Sequence, residues 1–384
     1  MNVPKLRFKE FNDEWKNINL KNVFEYFSTN SLSRDQLSDN GTIKNIHYGD
    51  IHRKYSSIVD VDNDVETYIK DINYNNKYEF CKDSDLIFAD ASEDYEGIGK
   101  AIELDNIKCT TVSGLHTILA RDKQNLFAPM FKGYYFNSPL IHNQIRILAN
   151  GFKVYGISKD SINKLNINIP AKEEQSKIAR TLYLLDKKIE LQTKKIEDLK
   201  LFKLCTAKII FKDDFLLCKK QLKEICNIVK GKQINSEFLD EKGKYYMLNG
   251  GINPSGFINE YNTNENTISI SEGGNSCGYV NFNKSKFWAG GHCYTIKPID
   301  INNMYLYQIL KYNENRIMDL RVGSGLPNIQ KKDLENFSIN VHHSNIQNKI
   351  ATILSSIDKL IDLEEKKINN IEKLKKGLMQ KMFV

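Results

Sequence analysis

Two polar, glycine-rich segments carry the residues of this chain best suited to bind a ligand. They are Asn249-Gly250-Gly251-Ile252-Asn253 and Ser271-Glu272-Gly273-Gly274-Asn275-Ser276. Glycine lets a backbone approach a phosphate group closely, and asparagine can both donate to and accept from the edge of a nucleobase. The same composition is typical of ordinary turns, so both interpretations stay open for each segment taken alone.

Short elements recur in the two halves of the chain. Tyr48-Gly49-Asp50-Ile51 aligns with Asn249-Gly250-Gly251-Ile252, and Ser113-Gly114-Leu115-His116 aligns with Ala289-Gly290-Gly291-His292. The two histidines therefore correspond, either as structural residues at the start of a strand or as base contacts. The two halves thus combine a similar scaffold with dissimilar loops. This combination is expected of two domains that recognise different sequences, and it is equally expected when two copies diverge after a duplication.

Two short basic patches, His52-Arg53-Lys54 and Lys284-x-Lys286, are of the kind that phosphate attracts and that any surface also carries. No phosphate-binding loop, dinucleotide fingerprint, zinc-protease motif or nucleophile elbow is present. His342-His343 lacks a third ligand nearby, which favours surface histidines over a metal site. The acidic run Glu93-Asp94-Tyr95-Glu96 is better explained as a solvated loop than as a cation site. We therefore predict no catalytic residue and no metal ligand.

The composition is that of a folded protein. The 384 residues are 41% hydrophobic and 10% aromatic, enough for two or three packed domains. No apolar run reaches the roughly 18 residues of a membrane helix and no signal peptide is evident, so we expect a cytoplasmic protein without membrane contact. Seven scattered cysteines indicate free thiols. The net charge of +7 leaves room for a locally basic face only.

A long segment of the chain is duplicated. Residues 167–211 recur without a gap as residues 339–383, and 16 of the 45 aligned positions are identical. Apolar residues in each copy follow a heptad seam, which predicts a long helix. The seams are Ile178, Leu182, Leu185, Ile189, Ile196 and Leu199, then Ile350, Leu354, Ile357, Ile361, Ile368 and Ile371. A tandem duplication suits a ligand with two like halves.

Two matching seams favour helices that pack on each other over helices that each lie on one domain. Each helix is about 39 residues, or roughly 58 Å, so we expect an exposed antiparallel coiled-coil pair. Gln192 and Glu364 occupy the one polar position of each seam. A two-fold relation between the copies predicts that these two residues meet near the crossing and fix the register.

The segments between the helices are predicted to be α+β globular units. Strands are expected at residues 43–47, 85–89, 117–120, 245–248, 267–271 and 294–296, and aromatic-rich helices at 126–136 and 304–312. The predicted domains are a globular unit at 1–170, a helical spacer at 171–211, a second globular unit at 212–341 and a second spacer at 342–384.

Several features in order resemble one known family. The start Pro4-x-Leu6-Arg7-Phe8-x-x-Phe11-x-x-x-Trp15 and the junctions at residues 167–190 and 323–341 are similar to those of the specificity subunit of Type I restriction-modification enzymes. The resemblance covers essentially the whole chain and is specific because the features occur twice at one offset. The chain departs from the pattern at His342-His343, where the first copy has Pro170-Ala171.

This resemblance implies two target recognition domains, each reading one half of a bipartite site in double-stranded DNA. It implies that the helices set the gap between the halves and dock two modification subunits, which methylate adenine, and that restriction subunits join them. No cofactor is expected on this chain. S-adenosylmethionine, ATP and Mg²⁺ are expected on the partner subunits.

The family gives no base-contact positions that transfer residue by residue, so the candidate DNA-binding residues come from loop chemistry. They are His47, Tyr48, Arg53, Lys54, Ser92, Lys100, His116, Asn249, Asn253, Ser271, Asn275, Lys284, Lys286, His292 and Ser324. The lysines and the arginine suit phosphate better than bases. Two other functions remain open at this point: a helical scaffold that bridges proteins without touching DNA, and an enzyme with an unfamiliar site.

Overall fold

The computed structural model describes residues 3–70, 78–151, 153–212, 217–235, 237, 239–240, 242–323 and 325–384. The chain divides into two compact units. The first is Met1–Gln192 together with Lys367–Val384, and the second is Thr193–Lys366. The division passes through two long helices, so each unit contains a globular part and half of each helix.

The first unit is built from short strands and short helices. Its strands are β1 (Lys16–Asn19), β2 (Phe24–Phe27), β3 (Leu37–Ser38), β4 (Lys44–Ile46), β5 (Ile58–Asp60), β6 (Tyr68–Ile69), β7 (Leu86–Ala89), β8 (Ala91–Ser92), β9 (Ala101–Asp105), β10 (Thr111–Ser113), β11 (Thr117–Asp122), β12 (Tyr155–Gly156) and β13 (Asn166–Ile169). Its helices are α1 (Tyr48–Arg53), α2 (Val61–Asp64), α3 (Phe131–Phe136), α4 (Pro139–Leu148) and α5 (Lys159–Asn163), before the long α6 (Lys172–Ile210).

The second unit repeats this composition. Its strands are β14 (Leu217–Gln221), β15 (Cys226–Lys230), β16 (Tyr245–Leu248), β17 (Gly256–Ile258), β18 (Thr267–Ser271), β19 (Val280–Asn283), β20 (Trp288–Ala289), β21 (Cys293–Pro298) and β22 (Ser338–His342). Its helices are α7 (Leu222–Ile225), α8 (Asn303–Tyr312), α9 (Glu314–Met318), α10 (Lys331–Asn336) and the long α11 (Ser344–Lys381).

The sheets of the two units follow one plan. The main sheet has the order β2-β11-β7-β9-β5 in the first unit and β15-β21-β18-β19 in the second. A second sheet, β10-β4-β6-β3 or β17-β16-β20, contains a parallel pair, β4 with β10 and β16 with β20. A third pairing, β1-β13 or β14-β22, joins the start of the unit to the strand that leads into its long helix.

Each globular part is closed by the end of a long helix. In the first unit the ring of Phe383 lies 5.9 Å from Phe131 and 5.4 Å from Tyr135. In the second unit Phe211, the equivalent of Phe383 in the duplicated segment, lies 6.0 Å from Tyr305. Burying aromatic rings against each other contributes a large part of a core, so these helix ends belong to the cores they cover.

Other identical residues of the duplication make equivalent contacts in each unit. Gln175 accepts a hydrogen bond from the Ala128 amide (2.8 Å) and donates to the carbonyl of Pro170 (2.9 Å). In the second unit Gln347 accepts from the Asn302 amide (3.2 Å) and donates to the carbonyl of His342 (2.9 Å). The two glutamines therefore tie the start of each long helix to its own globular part.

The halves of the two helices run antiparallel within each unit. In the second unit Lys195 pairs with Glu364 (2.7 Å) and Lys203 with Asp358 (2.6 Å), so numbers rise along α6 as they fall along α11. All the predicted seam residues are buried or half-buried, which confirms the heptad assignment. Gln192 and Glu364 lie in different units, and their expected meeting stays a prediction.

The predicted strands are confirmed, with shifts of a few residues at their ends. The helix expected at residues 304–312 is confirmed as α8, but the helix expected at 126–136 is wrong in its first half and begins at Phe131. Met130 has a left-handed backbone with φ of 66°. The amides of Phe127 and Ala128 donate to the side chains of Asp122 and Gln175, which replace a helical turn.

Among the described residues no helix is long and apolar enough to cross a membrane. All seven cysteines are free thiols.

Candidate nucleic-acid interface

The recurring elements meet at the carboxyl ends of the parallel strand pair in each unit. His47 and α1 follow β4, while Gly114, Leu115 and His116 follow β10. The amide of Gly114 donates to the carbonyl of Ile46 (2.8 Å), and the amide of Gly290 donates to that of Leu248 (2.8 Å). The ends of parallel strands share one edge, so the same edge is formed in both units.

Aromatic and imidazole rings form the centre of this edge in the first unit. The ring of Tyr48 lies 4.7 Å from His47, 6.1 Å from His52 and 5.2 Å from His116. His47 is buried, and its Nδ1 accepts from the Gly49 amide (3.1 Å), which caps α1. Burial, aided by nearby Arg34, lowers the pKa of His47. His47 is therefore a structural histidine, and its ring packs against that of Tyr48.

His116 is held by the residue that follows β7. Its backbone carbonyl accepts from the amide of Asp90 (3.1 Å), and its Nδ1 lies 3.2 Å from Oδ1 of the same residue. The carbonyl of Asp90 in turn accepts from the Ile157 amide (2.9 Å). Burial raises the pKa of Asp90, although His116 opposes the change. His116 itself has a left-handed backbone, with φ of 54°.

The remaining candidates of the first unit have mixed surroundings. Arg53 and Lys54 are exposed on the last turn of α1, as a phosphate contact requires. Ser92 is buried and accepts from the Asp94 amide (3.2 Å), so it shapes the following turn. Lys100 donates to the carbonyls of His52 (3.3 Å) and Tyr55 (3.0 Å), and burial lowers its pKa. The ammonium group of Lys100 thus stabilises the end of α1.

The second unit forms the same edge from different side chains. Asn249 occupies the position of His47, because Ile46 and Leu248 accept the equivalent backbone bonds, so the predicted alignment of Asn249 with Tyr48 is wrong by one residue. The Oδ1 atom of Asn249 accepts from the His292 amide (3.1 Å). Ser271 donates to the carbonyls of Gly250 (2.8 Å) and Gly273 (3.2 Å), which joins the two glycine-rich segments. Asn253 and Asn275 are exposed beside them and remain available to a ligand.

A histidine and a carboxylate are paired here as well. The His292 carbonyl accepts from the amide of Glu272 (2.9 Å), whose own carbonyl accepts from the Ile329 amide (2.8 Å). The Nδ1 of His292 lies 3.4 Å from Oε2 of Glu272. The other carboxylate oxygen accepts from Lys230 (2.6 Å) and from the hydroxyl of Tyr294 (3.0 Å).

Two predicted phosphate contacts lie away from this edge. Lys284 follows β19, whose last residue pairs with the first residue of β18, at the opposite end of β18 from Glu272. Lys284 forms an ion pair with Asp362 of α11. Lys286 lies over the ring of Tyr261 at 4.4 Å, near the start of β16. Neither lysine is therefore brought together with Asn249, Ser271 and His292. Ser324 lies outside the described residues.

Three residues of this edge were not among the predicted DNA-binding residues: Asp90, Glu272 and Lys230. The two carboxylates directly follow the equivalent strands β7 and β18, and this position after a predicted strand could have indicated them in the sequence. Lys230 ends β15 and offered no local pattern. Among the described residues no cluster of histidine, cysteine and carboxylate side chains could hold a metal ion. The edge offers hydrogen-bond donors, acceptors and imidazole rings, which suit polar recognition.

Comparison with known proteins identifies the class. The family described as Type I restriction modification DNA specificity domain matches residues 12–201 and 218–373, and the chain belongs to this family. A solved type I restriction-modification S subunit from M. genitalium has the same fold, with a TM-score of 0.70, 20% identity and coverage of 100% of this chain and 99% of that one.

Two relatives bear the name of a type I specificity subunit. One, from Mycoplasma pneumoniae, is 36% identical over 169 residues, which are 43% of this chain and 45% of the relative. The other, from Mycoplasma genitalium, is 30% identical over 182 residues, 46% of this chain and 47% of the relative. The chain thus matches about half the length of these relatives.

Proposed function

We propose that this chain is the DNA-recognition subunit of a Type I restriction-modification complex and reads a bipartite site, one globular unit per half-site. The observation that carries the proposal is the edge that occurs in both units with the same backbone frame. Gly114 and Gly290 make the same hydrogen bond there, whereas the next position is His47 in the first unit and Asn249 in the second. Two readers of different half-sites need a common frame and different side chains.

The proposed domain division follows the predicted boundaries. Residues 1–170 and 212–341 are the two readers, and residues 171–211 and 342–384 are the spacers. A helix of 39 residues, as α6 is, spans roughly 58 Å. That length exceeds what a small domain covers, and it suits a spacer that fixes the gap between half-sites.

Exposed apolar residues on the long helices suit the docking of partner subunits. In the first unit Leu191 and Leu374 are exposed, and in the second Leu363 and Phe202 are exposed. Leu191 is equivalent to Leu363, and Phe202 to Leu374, in the duplicated segment. One apolar surface repeated in each unit is what two identical modification subunits would cover.

In this proposal the chemistry belongs to the partners. The modification subunits bind S-adenosylmethionine and methylate DNA, and restriction subunits with ATP and Mg²⁺ join the same core. The chain itself contributes sequence recognition and assembly, and it binds no cofactor.

The test combines methylation mapping with DNA binding. Cells that carry the modification subunit should show a methylated bipartite site when this chain is co-expressed and none when it is omitted. The purified complex should shift a duplex with that site, and the shift should weaken as salt rises, because phosphate contacts release counterions. A chain that assembles with the modification subunit but neither binds duplex DNA nor directs methylation would be a protein scaffold instead.

A further inference from the structure

The histidine–carboxylate pair is the part of the proposed interface that is the same in both units. His116 and His292 each follow a glycine at the end of a parallel strand, and each carbonyl accepts from the amide of a carboxylate residue. Asp90 and Glu272 then bond, through their carbonyls, to Ile157 and Ile329 at equivalent positions. The side chains around each pair differ between the two units, whereas the histidine and the carboxylate are present in both.

The geometry leaves one imidazole nitrogen for a ligand. Nδ1 of His116 is hydrogen-bonded to Oδ1 of Asp90 at 3.2 Å, whereas Nδ1 of His292 lies at ion-pair distance, 3.4 Å, from Oε2 of Glu272. The two imidazole side chains remain 50% and 61% exposed. The ligand-facing nitrogen is therefore Nε2. When a carboxylate accepts the Nδ1 proton, Nε2 can donate only if the ring is the doubly protonated imidazolium.

The histidine–carboxylate pair occurs in both proposed recognition units, so we expect it to contact a part of the DNA that both half-sites contain. Base sequences differ between half-sites, but phosphates occur in both. We propose that His116 and His292 are matched DNA-phosphate contacts, each an imidazolium placed between a protein carboxylate and a phosphate oxygen. Asp90 and Glu272 are the positioning residues. This inference rests on the proposed function.

The groups around the two rings predict unequal behaviour. Tyr48, His47 and His52 lie around His116 on the side of α1, and Asp90 is its carboxylate. Glu272 faces His292, but this carboxylate is shared with Lys230 and Tyr294. Because Lys230 already offsets the charge of Glu272, this carboxylate is a weaker partner for an imidazolium than Asp90 is.

The experiment measures binding of a random-sequence duplex by the complex of the full chain with its modification subunits, between pH 6 and 8. Affinity should fall as pH rises, since imidazole loses its charge in this range. His116→Asn and His292→Asn should each weaken binding at pH 6 by about tenfold and should flatten the pH profile. Asparagine is chosen because it tolerates the left-handed backbone of residue 116. Each variant should also lower the salt slope at pH 6 by about 0.9.

Four further variants separate contact from folding. His343→Asn changes an exposed histidine that precedes α11 and should leave the pH profile unchanged. Asp90→Asn and Glu272→Gln keep the side-chain size and should flatten the pH profile of binding. Asp90→Glu should restore the profile. Co-purification with the modification subunits shows that each variant is folded.

Two results would overturn the inference while the proposed function stands. In one, the histidine variants bind the random duplex at pH 6 as tightly as the parent. In the other, they lose affinity only for duplexes that carry the methylated site, which would make the histidines base contacts. Failure of the parent complex to bind any duplex would instead remove the proposed function itself.

Discussion

Two glycines bring the strand ends of the proposed interface into contact, one in each unit. A Cβ atom on Gly114 would lie 2.8 Å from the carbonyl oxygen of Ile46, and one on Gly290 would lie 2.7 Å from Oδ1 of Asn249. Both distances are too short for a carbon atom. A backbone oxygen cannot move away as a side chain can, so residue 114 is the more restricted position.

We expect Gly114→Ala to lower the free energy of unfolding by about 1–3 kcal/mol, because the two strand ends must separate. Urea unfolding of the variant and the parent measures this change. Gly377→Ala is the matched control, since Gly377 lies in α11 with open space around its Cβ position. Alanine there should stabilise the helix by about 0.5–1 kcal/mol. Equal effects at both positions would contradict the close-contact argument.

A buried ion pair makes the first unit sensitive to pH when one partner is removed. Glu103 accepts from Lys132 (2.9 Å) and from the amides of Met130 and Gly133 (2.9 Å each), which holds the start of α3. Burial raises the pKa of Glu103, and Lys132 is the main group that opposes this. Such a carboxyl contributes stability below its unfolded pKa and loses it as pH rises through the folded pKa.

Lys132→Met should therefore cost about 3–5 kcal/mol near pH 8, where it leaves a buried charge unpaired, and less near pH 5. Urea unfolding at the two pH values tests this. Adding Glu103→Gln to the variant should recover part of the loss, because no charge remains to be buried and the glutamine oxygen can still accept from a backbone amide of α3. A loss of the same size at both pH values would show that Glu103 is not the cause.

At the residue level, the sequence predicted which histidines correspond but not what they contact. His116 and His292 could be aligned from the glycines beside them. Asp90 and Glu272 could not, because their contacts depend on the order of strands in the main sheet. Lys100 looked like a free cation, yet it is bound to carbonyls of α1 that only the folded chain brings near.

At the level of elements, the long helices were the most predictable part. Their apolar seams repeat over five turns or more, and each begins within two residues of the predicted start. The helix expected at residues 126–136 failed in its first half because Asp122 and Gln175 compete for its amides. That competition involves a residue of α6, which local patterns do not contain.

If the helices are spacers, removing one heptad from each should shorten the gap between half-sites and leave the half-sites unchanged. Deleting residues 192–198 with residues 364–370 keeps the seams in register and leaves the exposed Leu191 and Leu363 in place. The loss of seven residues shortens a helix by roughly 10 Å, or about three base pairs. Methylome sequencing reads the new gap. Deletion from one helix only should impair assembly, because the seams then mismatch. An unchanged gap after the double deletion would refute the spacer role.

At the level of the whole molecule, the proposed function predicts modular specificity. Replacing residues 212–341 with the matching segment of a relative should change one half of the methylated site and preserve the other, because only one set of side chains changes. Gln347 stays in the exchanged chain and accepts from a backbone amide, that of Asn302, so the tie of α11 to its unit does not depend on the side chain at residue 302. Methylome sequencing of cells with the exchanged chain gives the answer, and a change in both halves would refute modular reading.

The segments of the chain that form each unit also set the order in which the two units are completed on the ribosome. The second unit is one continuous stretch, Thr193–Lys366, whereas the first needs Lys367–Val384 from the far end of the chain. Lys375 meets Asp186 across 189 positions, and Phe383 covers Phe131 and Tyr135. The unit that is begun first is therefore completed last. Until the final turns of α11 emerge, its aromatic core is open on one side and exposed to aggregation or to chaperones.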